Sequence, residues 1–97
     1  MAHAVLINVF EVPEGQEETF LAGWEEARRF MARQPGYVST ALHSSLDPSA
    51  RFRFINIATW ESPEAFFAAL NHPEFVALRD NVPFPHYPSV YTVIRQD

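Results

Sequence analysis

The chain contains no cysteine. That excludes a disulfide framework, a thiol nucleophile, an iron–sulfur cluster and a cysteine-based zinc site. Glycine is scarce, and the three present (Gly15, Gly23 and Gly36) are too scattered for a phosphate cradle or a dinucleotide fingerprint. Basic residues number 7 against 12 acidic ones, for a net charge of −5. With a pI of about 5.2, a nucleic-acid partner is disfavoured. No apolar run approaches the ~20 residues of a membrane span, and the N-terminus lacks the basic start and apolar core of a secretion signal. The expectation is a soluble, cytoplasmic protein with no membrane partner. Neither a His-x-x-x-His nor a His-x-x-Glu-His pattern occurs, so no metal site is expected.

What is present is globular in composition, 47% hydrophobic and 14% aromatic. The 97 residues read as one domain spanning 1–97. A domain of this size hides only ~60–65% of its unfolded surface. Such chains gain by pairing, which favours a homo-oligomer.

The punctuation along the chain is regular. Val5-Leu6-Ile7-Asn8-Val9-Phe10 is β-rich and nearly all apolar, as in a central strand covered on both faces. Pro13-Glu14-Gly15 stops it. Residues 16–33 read as a helix, with Phe20, Leu21, Trp24, Ala27 and Met31 at helical spacing. Gln34-Pro35-Gly36 ends that helix. Residues 37–45 and 52–60 read as two strands of a hairpin around the turn-forming Leu46-Asp47-Pro48-Ser49-Ala50. Ser62-Pro63-Glu64 starts a second helix, with Ser as cap, Pro in the first turn and Glu at the positive end. Asn71-His72-Pro73 interrupts it, and residues 73–80 resume as a short helical piece. Pro83, Pro85 and Pro88 predict a stiff loop, and Val90-Tyr91-Thr92-Val93-Ile94 the last strand.

The order is β-α-β-β-α-β, the split βαβ arrangement of the ferredoxin-like α+β class. It predicts a four-stranded antiparallel sheet with the helices on one face. The other face then needs cover, most simply the same face of a second copy, so a homodimer is expected.

On the strand ending at Trp60, alternation puts Asn56, Ala58 and Trp60 on one face. An indole and a carboxamide flanking a small residue make a niche for a flat aromatic ligand bearing oxygens; equally, Trp60 can be core and Asn56 bonded to nearby backbone. Asn8, inside an apolar strand, needs a partner, because burying it unpaired costs ~1–3 kcal/mol. That partner is a ligand, a loop or a buried water. His43 points the same way as Ser39 and Ala41 and is a candidate proton carrier, or simply a strand-end histidine. His72 suits a cap or turn. His86 in the proline-rich segment can line a pocket mouth. Arg79, after the apolar Phe75, Val76 and Leu78, can hold an anion or reach to water. Phe66 and Phe75 belong to an aromatic set that would wall any pocket between helix and sheet.

Together these residues resemble the antibiotic biosynthesis monooxygenase domain of the dimeric α+β barrel superfamily. The likeness is carried by Phe54-Ile55-Asn56-Ile57-Ala58-Thr59-Trp60 running into Glu61-Ser62-Pro63-Glu64-Ala65-Phe66. Asn8 with Pro13-Glu14-Gly15, and the corner Gln34-Pro35-Gly36-Tyr37, extend it over nearly the whole chain. The nearer likeness is to the small quinone-forming monooxygenases of aromatic polyketide pathways. It implies catalytic roles for Asn56, Trp60, His43 and Arg79; substrate contacts are expected from Asn8, Phe66, Phe75 and His86. A pocket tyrosine of that type falls at Phe66, which removes a hydroxyl. The implied reaction oxidises a phenolic or anthrone-type substrate to a quinone with O2, without flavin, haem, metal or any other cofactor. A binding module without activity and a cyclase or isomerase are the alternatives. Haem-degrading relatives share Asn8, but their Trp and His fall near Ala69 and Arg79, so a haem-degrading relative is the less favoured alternative.

Overall fold

The computed structural model describes residues 3–79 and 83–97. Its elements are β1 (Ala4–Phe10), α1 (Glu17–Met31), β2 (Tyr37–Ser44), β3 (Phe54–Trp60), α2 (Pro63–Leu70), α3 (Pro73–Arg79) and β4 (His86–Tyr91). The four strands form one antiparallel sheet in the order β2-β3-β1-β4. The ferredoxin-like α+β arrangement is therefore present, and the most apolar strand, β1, is central. Among the described residues no helix is long and apolar enough to cross a membrane.

Most elements differ from the sequence reading by only one or two residues at an end. The last strand differs more. It runs from His86 to Tyr91, not over 90–94, and Pro88 stands within it opposite Asn8. An edge strand accepts proline where the missing N–H faces outward, and β4 is an edge. The Glu11 N–H donates to the Pro85 carbonyl at 3.0 Å, which continues the β1–β4 pairing past Phe10. Residue 80, expected to close the short helix, lies outside the described residues.

α2 starts as expected. Ser62 Oγ accepts the Ala65 N–H at 3.1 Å, Pro63 occupies the first turn and Glu64 faces the helix start. Gly36 sits at φ +87°, and a Cβ there would collide with that of Ala65. Its carbonyl accepts the Glu61 N–H at 2.7 Å. This glycine thus lets the chain entering β2 lie directly against the β3–α2 corner.

The sheet face under the helices carries two packed clusters. One holds Ala4, Ala58, Trp60, Phe66 and Ala69; the other holds Phe10, Val12, Phe20, Phe54 and Phe84. Between them on the central strands lies the row in which Asn8 stands opposite Asn56. The reverse face presents Val5, Ile7 and Val9 of β1 with Ile55 and Ile57 of β3. Ile57, Tyr87 and Tyr91 are exposed there.

Candidate active site

A cavity of about 420 Å³ opens between the sheet and the helices, along the row that separates the two clusters. This volume is in the ~300–1,000 Å³ range of small-molecule sites. Its walls are largely aromatic, with Trp24 of α1, Trp60 of β3 and Phe66 of α2 among them. Trp60 is 1% exposed. Its ring meets Tyr37 edge-on with centroids 5.6 Å apart, and meets Phe66 at the same separation. Burying an indole this completely stabilises the fold, so Trp60 serves the core and the cavity wall together.

Asn8 and Asn56, with Thr40 beside them, form the polar row of the cavity. Thr40 Oγ1 donates to Asn56 Oδ1 at 2.8 Å. That bond fixes the carboxamide with its oxygen satisfied, leaving Nδ2 as the side that donates. Asn8 Oδ1 is buried and has no hydrogen-bond partner among the described residues. An orphaned buried acceptor costs ~1–3 kcal/mol, so this oxygen is open to a hydrogen-bond donor. Together the facing carboxamides offer one acceptor and one donor to a molecule that carries both a hydroxyl and a carbonyl or oxyanion.

Charge enters from the helices. Arg79 lines the cavity from the end of α3. Arg28 of α1 lines it too and pairs with Glu25 at 2.6 Å. Their hydrogen bond holds the Glu25 carboxyl below its ordinary value and raises Arg28 above its own. Arg28 is thus partly neutralised before a ligand arrives, whereas Glu26 on the rim adds a negative charge.

The sequence-derived candidates divide cleanly. Asn8, Asn56, Trp60, Phe66, Phe75, Arg79 and His86 all line the cavity. His43 does not. It pairs with Ile55 across the β2–β3 ladder, so it shares the face turned away from the helices. Its Nδ1 lies 3.3 Å from the Ile55 carbonyl oxygen. His43 is exposed and cannot reach a molecule held beside Asn56. His72 is also outside; its Nδ1 accepts the Glu74 N–H at 3.1 Å, a capping bond at the start of α3. Thr40 was not anticipated. Its place follows from the hairpin register, which sets Thr40 opposite Ala58 and hence on the face of Asn56. Among the described residues no three His, Asp or Glu side chains cluster to hold a metal.

The profile of the antibiotic biosynthesis monooxygenase family matches residues 4–81. Several solved structures share the whole fold. A Shewanella loihica PV-4 protein provisionally described as a monooxygenase is 38% identical, with 99% of each chain covered and a TM-score of 0.85. SnoaB, a cofactor-independent oxygenase from Streptomyces nogalater, is 26% identical, with 99% of this chain and 97% of that one covered and a TM-score of 0.87. A Bordetella bronchiseptica protein provisionally described as an antibiotic biosynthesis monooxygenase is 25% identical over 99% of both chains, with a TM-score of 0.77. No curated protein matches the chain.

Proposed function

The chain belongs to the antibiotic biosynthesis monooxygenase family, and from that premise we propose that it oxidises an electron-rich phenolic or anthrone-type aromatic to a quinone with O2, using no cofactor. The observation that carries the proposal is the unpartnered, buried Asn8 Oδ1 facing Asn56 within an aromatic cavity. The likeness to SnoaB, a cofactor-independent oxygenase, supports the cofactor-free reading.

The chemistry needs little from the protein beyond binding and charge stabilisation. Loss of a proton from the substrate leaves an anion delocalised over the rings. That anion passes one electron to O2, and the substrate radical and superoxide combine to a peroxide. Protonation and loss of water leave a carbonyl where a CH2 stood, so CH2 and O2 become C=O and H2O. Asn56 Nδ2 donates to the developing oxyanion, and Asn8 Oδ1 accepts from a neighbouring hydroxyl of the substrate. Trp60 and Phe66 flank the rings, and the Arg79 guanidinium supplies positive charge near the anion. Phe75 closes the apolar wall.

A homodimer completes the reading. Its interface is the sheet face bearing Ile7, Ile57 and Tyr91, which no element of the described residues covers. Sedimentation of the purified protein at twice the mass of one chain tests that part.

The function is tested by oxygen uptake with dithranol, an anthrone, on protein free of metal and of flavin or haem absorbance. Saturable uptake, with a product that has gained one oxygen and lost two hydrogens, is the expected result. Uptake no faster than the spontaneous reaction overturns it.

A further inference from the structure

Proton removal requires a base in the cavity, and with His43 on the other face of the sheet that position has to be filled from elsewhere. His86 lines the cavity from β4 and is half-buried. Its ring packs beside Phe10, with centroids 5.8 Å apart. Nδ1 lies 3.0 Å from the Phe84 carbonyl oxygen. A carbonyl oxygen only accepts, so Nδ1 carries the hydrogen and the lone pair of the neutral ring is on Nε2. A base held in one tautomer by a third group is the arrangement general-base catalysis uses.

The sheet register sets the spacing. His86 stands opposite Phe10, and Pro88 stands opposite Asn8. His86 is therefore two residues along β4 from the asparagine row, roughly 7 Å at the ~3.4 Å rise of an antiparallel strand. In an anthrone the oxygen and the acidic C–H lie on opposite sides of the central ring. A donor at the asparagines and an acceptor one row away match that separation.

We propose that His86 Nε2 is the general base that takes the proton from the substrate's ring carbon. In this step the C–H bond breaks, the N–H bond forms and the electron pair stays on the substrate as a delocalised anion; no oxidant is consumed. The inference rests on the substrate class proposed above. The other titratable groups lining the cavity are Glu26 and Arg28 of α1, Tyr37 of β2 and Arg79 of α3. The guanidiniums can only donate, Tyr37 has an O–H of its own to donate, and Glu26 is exposed on the rim.

The test separates proton removal from oxygen chemistry. Dithranol is held without O2 in deuterated buffer, and exchange of its ring CH2 protons is followed by NMR with and without protein. The wild type accelerates exchange above the spontaneous rate. His86→Asn, whose amide N–H can replace the bond to Phe84, loses about 100-fold or more of that acceleration, while binding of the inert product 1,8-dihydroxyanthraquinone changes less than about threefold. Added imidazole restores exchange in His86→Ala, which a purely structural role would not allow. Exchange at the wild-type rate in His86→Asn overturns the assignment, as does a wild type that gives no exchange above background. Exchange that depends on His86 without any oxygen uptake in air keeps the base and overturns the oxygenase reading alone.

Discussion

Asn8 and Asn56 face each other across the two central strands, and only the carboxamide oxygen of Asn56 has a donor within the described residues. The pair is thus half-satisfied by the fold. Both side chains are half-buried, with the Asn8 oxygen itself covered; an acceptor left in that state costs stability, and the proposed ligand would supply the missing hydrogen.

Replacing Asn8 by Leu removes the orphaned acceptor and fills its place with apolar volume. The expected result is a gain in stability of about 1 kcal/mol, read as a higher urea midpoint, together with a fall in oxygen uptake. A loss of stability instead would mean that the Asn8 oxygen is satisfied in solution.

Thr40→Val removes the hydroxyl that orients Asn56 while keeping the shape of the side chain. With its donor gone, the Asn56 oxygen is left unpaired in a half-buried site, so stability falls by about 1 kcal/mol or more. Turnover falls roughly 10-fold, the factor that about 1.4 kcal/mol of lost transition-state stabilisation represents. Unchanged kcat with a disordered Asn56 would remove that residue from the mechanism.

Gly23 lies within α1 on the cavity wall, and a Cβ there meets nothing within 4 Å. Glycine in a helix interior costs ~1 kcal/mol relative to alanine. Gly23→Ala therefore raises the melting temperature, whereas Gly23→Leu projects into the cavity and weakens binding of tricyclic ligands more than of single-ring phenols. Calorimetric titration with both ligand sizes checks the contrast.

Glu11 ties β1 to its neighbours away from the cavity. Its carboxylate takes hydrogen bonds from Arg51 at 2.8 Å and Tyr87 at 3.0 Å. The Arg51 bond first, then that of Tyr87, lowers the carboxyl below its ordinary 4.5. A depressed carboxyl stabilises the fold above the ordinary value, and that stability is lost as pH falls from about there through the folded-state value. Thermal melts from neutral pH into acid should show a decline below pH 4.5 that is shallower in Glu11→Gln.

Much of this was legible in the residues themselves. Alternation alone puts Asn56, Ala58 and Trp60 on one face, and the capped start at Ser62 places α2 over them. β4 was not legible, because three prolines within six residues read as loop; only its edge position makes Pro88 tolerable inside a strand. His43 was misplaced for a different reason. The parity of one strand cannot say which of its faces meets the helices. That depends on the register with its neighbour, where a slip of one residue exchanges the faces. The irregularity between Tyr37 and Ser39 lies in the stretch where counting forward from Gly36 would have to set that parity. With the register known, Thr40 replaces His43 beside Asn56, and His43→Ala is expected to leave turnover per folded molecule unchanged.

The most direct test of the central claim uses ¹⁸O2. Wild-type protein converting dithranol under labelled oxygen should place one ¹⁸O in the quinone product. The Asn8→Leu/Asn56→Ala double variant should lose the enzymatic share of that product while remaining folded. Product that takes its oxygen from labelled water, or a double variant as active as the wild type, would contradict an oxygenase built on this pair of asparagines.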